Sequence, residues 1–157
     1  MSREFSASLI ERIAALSGRY PAKPASLLPV LHLVQADLGH ITPEDERRVA
    51  ELLEMPAMKV HEAVTFYTMF RRAPVGRYHL QVCTNVSCSI AGSDRLIDHL
   101  QARVGIKLGE STHDGKFTLT GVECLGACEQ GPCMMINFDY HGNLDAAKLD
   151  AFLWGLP

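Results

Sequence analysis

All five cysteines of this chain fall between positions 83 and 133, and their spacing limits what that half of it can become. Cys83 and Cys88 are separated by four residues, Cys124 and Cys128 by three, and Cys133 stands alone. Two loops that each carry a cysteine pair can curl their sulfurs toward one point, so four thiolates from them can enclose one metal centre. An odd number of clustered cysteines fits a reducing compartment and a metal site better than a frame of disulfides.

The spacing also bears on the kind of centre. Structural zinc sites draw their cysteines from tight turns, most often with two residues between them, and a gap of four followed by a gap of three fits them poorly. Four intervening residues separate the first two ligands of plant-type 2Fe–2S ferredoxins. The third cysteine of that pattern is missing here, because Ser89, Ile90 and Ala91 follow Cys88. Neither pair has the C-x-x-C spacing of a thiol oxidoreductase. Spacing therefore favours an iron–sulfur cluster and leaves zinc and unligated cysteines open.

A thiolate-bound cluster is net negative, so its loops need backbone N–H groups aimed at sulfur and little side-chain bulk. Asn85, Ser87, Ser89, Ala91 and Gly92 surround the first pair, and Gly121, Gly126, Ala127 and Gly131 the second. Glycines beside one cysteine pair would only mark a turn. Small residues around two pairs strengthen the cluster reading.

The first seventy residues carry a different texture. Phe5, Leu9, Ile13 and Leu16 share a helix face that ends at Gly18. A second helix is expected to start near Pro24 to Ser26, with Pro29 in its first turns, and to stop at Gly39. Thr42, Pro43, Glu44 and Asp45 read as an N-cap, a first-turn proline and acidic residues at the positive helix end, opening a third helix that runs to about Leu53. Pro56 opens a fourth, in which Val60, Val64 and Tyr67 share one side and Ala63, Phe66 and Phe70 another, the pattern of a buried or interfacial helix. Arg71, Arg72 and Arg77 follow it as a cationic run suited to a partner contact.

Ala73-Pro74-Val75-Gly76 has turn chemistry, and beyond it the helical period gives way to alternation. Tyr78, Leu80 and Val82 alternate with His79 and Gln81 in a strand that delivers Cys83 into a loop. Ser93 or Asp94 is expected to cap a helix through Arg103 that Gly105 stops. Strands are expected at 117–120 and 134–138, a turn at 140–143, and a terminal helix from Asp145. The expected architecture is α+β, with a helical module over 1–73 followed by a small α/β domain over 74–157.

Several stretches resemble the thioredoxin-like 2Fe–2S ferredoxins found as a component of NADH-quinone oxidoreductase, the respiratory complex I. They are VHEAVTFYTMF at 60–70, PVGRYHLQVCTNVSC at 74–88, GEST at 109–112, VECLGAC at 122–128 and GPCMMIN at 131–137. The resemblance implies a thioredoxin-like fold for the second domain and one 2Fe–2S cluster held by Cys83, Cys88, Cys124 and Cys128. It further implies an electron-transfer subunit of an NADH dehydrogenase, with FMN and NADH carried by a flavoprotein partner subunit and no substrate site on this chain. Equivalent subunits occur in NAD-linked formate dehydrogenases and NAD-reducing hydrogenases. The chain departs from the family pattern in having Gly131 and Cys133 around Pro132, where alanine and an aliphatic residue are usual. Cys133 is thus expected to act as a small buried hydrophobe. A zinc-stabilised adaptor is the alternative of a different class.

Composition excludes other partners. A net charge of -3 with no basic stripe leaves no electrostatic footprint for nucleic acid. The longest apolar run, Leu27 to Val34, is too short to cross a bilayer, and the N-terminal stretch lacks the features of a signal or transit peptide. A cytoplasmic protein, peripheral to the inner membrane through its complex, is the expectation. The seven histidines never pair at metal-ligand spacing, and no phosphate loop or dinucleotide fingerprint is present.

Overall fold

A computed structural model of the chain describes residues 4–156. The described residues form two compact units, divided between Pro74 and Val75.

The first unit is helical: α1 (Ala7–Ser17), a 3₁₀ turn (Lys23–Ser26), α2 (Leu27–Leu38), α3 (Pro43–Leu52) and α4 (Ala57–Phe66). Two of these helices, α1 and α3, start at a side-chain cap. The Ser6 hydroxyl accepts the Leu9 N–H at 3.1 Å and caps α1. Thr42 and Asp45 form a reciprocal capping box at α3, in which Asp45 accepts both the Thr42 N–H and its hydroxyl at 2.8 Å. Pro29 sits in the first turn of α2, where its missing N–H breaks no helical hydrogen bond. Leu9, Ile13, Val30, Leu31, Val34, Val49, Leu53 and Val60 fill the core between these helices.

The fourth helix is shorter than the apolar period suggests. It ends at Phe66, Tyr67 turns to an extended conformation, and Phe70 enters the core from the following turn. The cause is Gln35 on α2, a nearly buried side chain. Its amide donates to the Met69 carbonyl at 2.9 Å and its oxygen accepts the Arg71 N–H at 2.6 Å. The backbone that a longer helix would have paired with itself is held by this side chain instead. Phe66 is consequently 77% exposed, so α4 is not apolar-buried on both sides. Arg71 is half-buried, and burial lowers its pKa, so only Arg72 and Arg77 of the cationic run stand exposed.

The second unit is built on a four-stranded mixed sheet ordered β2-β1-β3-β4. Its elements are β1 (Tyr78–Cys83), α5 (Val86–Ile90), α6 (Ser93–Val104), β2 (Phe117–Val122), β3 (Met134–Ile136), β4 (Asp139–His141) and α7 (Ala146–Gly155). β1 runs parallel to β2 and antiparallel to β3, which pairs antiparallel with β4. Leu80, Leu100, Leu119, Met134 and Leu149 are fully buried in its core. His79 is buried on the opposite face, its Nε2 at 2.9 Å from the Thr120 hydroxyl.

Three local expectations change. The first cysteine loop contains a short helix, α5, capped by the Asn85 side chain. α6 starts after Gly92 at φ 107°, and Asp94 accepts the Ser89 hydroxyl at 2.7 Å rather than capping the helix. Asp139 to His141 form a strand, because Asn137 at φ 57° turns the chain back as a hairpin. Its side chain also completes the pairing of β1, accepting the His79 N–H at 3.0 Å and donating to the Arg77 carbonyl at 3.1 Å.

Two predictions arise from this packing. A Cβ on Gly76 would stand 2.8 Å from the carbonyl carbon of Phe117 and 2.9 Å from its nitrogen, both rigid backbone atoms of β2. Gly76→Ala is therefore expected to lower stability by about 1–3 kcal/mol, read as a fall in the urea midpoint at constant slope. The second concerns Asp150 on α7. Arg103 donates to it at 2.9 and 2.5 Å, and His99 lies at 2.8 Å. The Arg103 hydrogen bond first, and then His99, hold its pKa down from 3.8 to about 2. A depressed carboxylate stabilises the fold above its unfolded pKa, and that contribution is lost as the pH falls through the folded value. Asp150→Asn should flatten the acid limb of the melting-temperature profile between about pH 4 and 2.

Candidate metal centre

The sheet topology gathers the cysteines at one end. Because β1 and β2 are parallel, their C-terminal ends point the same way, and Cys83 closes β1 while Cys124 follows two residues after β2. The antiparallel β3 begins at that same end, with Cys133 immediately before it. Cys88 lies on α5 directly after β1, and Cys128 opens a 3₁₀ turn in the second loop.

Within this end the sulfurs divide into two groups. Those of Cys83, Cys88 and Cys133 all lie within 4.8 Å of one another. Cys88 Sγ is 3.7 Å from Cys133 Sγ, and the three side chains are 2%, 1% and 1% exposed. Cys124 and Cys128 are exposed and fall outside that group. The second loop nevertheless folds onto the first, since Leu125 and Ala127 pack against the three buried cysteines. A Cβ on Gly131 would sit 3.8 Å from Cys88 Sγ and 3.3 Å from the Cys128 carbonyl, which bounds how closely the loops approach.

Backbone N–H groups converge on the sulfurs. Burial pushes the Cys83 thiol up, but hydrogen bonds from the Asn85 N–H, the Cys88 side chain and the Leu125 N–H outweigh it and hold its pKa below the ordinary value. Cys88 is raised by burial, against the opposing Cys133 N–H, and Cys133 is pushed up to about 12 by burial and by Cys88 beside it. In the metal-free state Cys83 is therefore the most acidic thiol of the three. On the second loop the Gly126 N–H donates to Cys124 Sγ at 3.3 Å, and Gly126 reaches that position at φ 70°.

This donor set suits a cluster of iron and sulfide. Sulfur ligands, N–H groups aimed at them from Asn85, Leu125, Gly126 and Cys133, and small residues around them are what an anionic thiolate-bound centre requires. The structure brings Cys83 and Cys88 together as their spacing suggests, and keeps Cys133 buried. It also places Cys133 against both of them, which reading the sequence missed. The missing signal was pairing: the register that sets Val82 opposite Met134 puts Cys83 opposite Cys133, and the Cys83 N–H donates to the Cys133 carbonyl at 3.1 Å.

A helical unit followed by a sheet whose parallel strand ends present paired cysteines defines a thioredoxin-like iron–sulfur protein. The sequence profile of the thioredoxin-like [2Fe-2S] ferredoxins matches residues 13–156, and the chain belongs to that family. It is 49% identical over 143 residues to the NADH-quinone oxidoreductase subunit designated E 2 in Rhizobium meliloti, covering 91% of this chain and 85% of that protein. With the NADH-quinone oxidoreductase subunit designated E in Rickettsia prowazekii it shares 42% over 140 residues, covering 86% and 78%. Among solved structures, an NAD+-reducing [NiFe]-hydrogenase in the air-oxidized state superposes with a TM-score of 0.70 at 27% identity. That match covers 82% of this chain, and the chain spans 22% of the hydrogenase chain it matches.

Proposed function

We propose that the chain holds one 2Fe–2S cluster through Cys83, Cys88, Cys124 and Cys128 and serves as an electron-transfer subunit beside the NADH-oxidising FMN subunit of an NADH-quinone oxidoreductase. The observation that carries the reading is the convergence of two N–H-lined cysteine loops on one end of the sheet. Bound there, the cluster supplies a one-electron carrier. The chain's own residues supply the rest. Cys83 and Cys88 give a buried, preorganised side of the site, and the N–H groups of Asn85, Leu125 and Cys133 favour charge on their sulfurs. Cys124 and Cys128 lie on the exposed side, where a partner's redox group could come close. Val86 and Ile90, 65% and 82% exposed on α5 around Cys88, offer apolar contact surface at that end.

The family resemblance assigns NADH and FMN to a partner subunit, and the sequence has no dinucleotide fingerprint. None of the described helices is long and apolar enough to cross a membrane; the proposed location, cytoplasmic and peripheral to the inner membrane through the complex, rests on the likeness to the NADH-quinone oxidoreductase subunits. The likeness to the NAD+-reducing hydrogenase supports a second reading, the equivalent subunit of such an enzyme. The test is the visible and EPR spectrum of anaerobically purified protein before and after dithionite, with iron and zinc counted on the same sample. Iron in the ratio of a 2Fe–2S cluster with a rhombic signal on reduction is expected; zinc without colour, in protein that takes up no iron and sulfide after the zinc is chelated away, would replace the carrier by a structural adaptor.

A further inference from the structure

We propose that in the absence of a cluster Cys83, Cys88 and Cys133 bind a single thiophilic d10 cation, zinc(II) or copper(I), at a site distinct from the cluster's in using Cys133. The three sulfurs already lie within 4.8 Å of one another, with no other histidine, cysteine or carboxylate in the group. A metal bonded to sulfur at about 2.3 Å in near-tetrahedral geometry sets its sulfurs roughly 3.8 Å apart. The observed Cys88–Cys133 separation is 3.7 Å. Small inward rotations of Cys83 would complete a three-thiolate cradle.

The backbone fixes these side chains independently of any metal. Cys83 and Cys133 face each other across β1 and the entry to β3, joined by the 3.1 Å hydrogen bond from the Cys83 N–H to the Cys133 carbonyl. Cys88 is held by α5, and its sulfur accepts the Cys133 N–H. All three are buried, so hard oxygen-seeking cations, which keep water, are disfavoured against a soft ion that binds sulfur. Cys124 and Cys128 have no part in it, being exposed and outside the group.

Because Cys83 and Cys88 would be common to both occupants, the ion and the cluster exclude each other; this consequence alone rests on the cluster assignment above. Zinc held here would have to leave before the cluster could be loaded.

The experiment is a zinc(II) titration of the whole, anaerobically reduced, cluster-free chain in sulfide-free buffer, against a competing chelator, with cadmium(II) as a reporter through its thiolate charge-transfer absorbance. Wild type should bind one ion, and the Cys124→Ala/Cys128→Ala double variant should bind it equally well. Cys133→Ala should bind at least ~100-fold more weakly, the upper end of what losing even a supporting residue costs. A single cooperative urea transition with an unchanged slope identifies a folded variant, and Cys133→Val supplies an apolar replacement should alanine leave a void. Zinc affinity unchanged in a folded Cys133 variant overturns the proposal. So does loss of zinc in the double variant, which would put the ion at the cluster cysteines. Whether iron and sulfide are taken up is scored separately, so failure of the cluster reading leaves this result standing.

Discussion

Cys124→Ser is expected to abolish the reduced-state EPR signal of the anaerobically reconstituted protein, while Cys133→Ala leaves it in place. The proposed 2Fe–2S centre would take four thiolates, of which the buried pair Cys83 and Cys88 would supply two. The proposed assignment takes the other two from a loop that can close over the first. The second loop has that capacity: Gly126 at φ 70° turns the chain between Cys124 and Cys128, and its N–H already points at Cys124 Sγ. Cys133 lies outside both cysteine pairs, buried, with its carbonyl accepting the Cys83 N–H. Cys133→Ala removes one sulfur from a buried contact and should cost some stability without removing a ligand. Equal loss of signal in both variants would show that Cys133 takes a place among the ligands and would refute the four-cysteine assignment.

Leu80→Ala is expected to lower the unfolding free energy by about 2–5 kcal/mol, a large share of the roughly 5–15 kcal/mol that keeps such a protein folded. Leu80 is inaccessible to solvent on the strand at the centre of the sheet, opposite Leu119 on β2 and Ile136 on β3. Truncation leaves a cavity bounded on both sides by hydrogen-bonded strands, which restricts how far the neighbours can collapse into it. The same strand carries Cys83 at its end, so the variant should also release bound iron faster at elevated temperature. Urea unfolding of the full chain reads the first effect. A loss below about 1 kcal/mol would mean that this sheet repacks far more readily than a close-packed core does.

Many helix boundaries could be read locally, since caps and breakers act over a few residues. Thr42 and Asp45 start α3, Gly39 stops α2 and Gly105 stops α6 where the sequence places those signals. The early end of α4 was not legible, because its cause is Gln35, more than thirty residues earlier in the chain. The hairpin into β4 was missed for a related reason. Asn137 is read as a turn residue only once it is seen to adopt positive φ and to bond across to β1.

The site divides along the same line. The amino-acid sequence determined the chemistry: two spaced cysteine pairs in small-residue loops, which specify soft ligands with backbone donors close by, and a family likeness that extends over most of the chain. Only the tertiary structure decided which sulfurs are neighbours. Cys133 stands forty-five residues from Cys88 in the chain yet 3.7 Å from it in space. The antiparallel register of β3 on β1 puts it there, and register is set by the packing of both strands rather than by either one's own sequence.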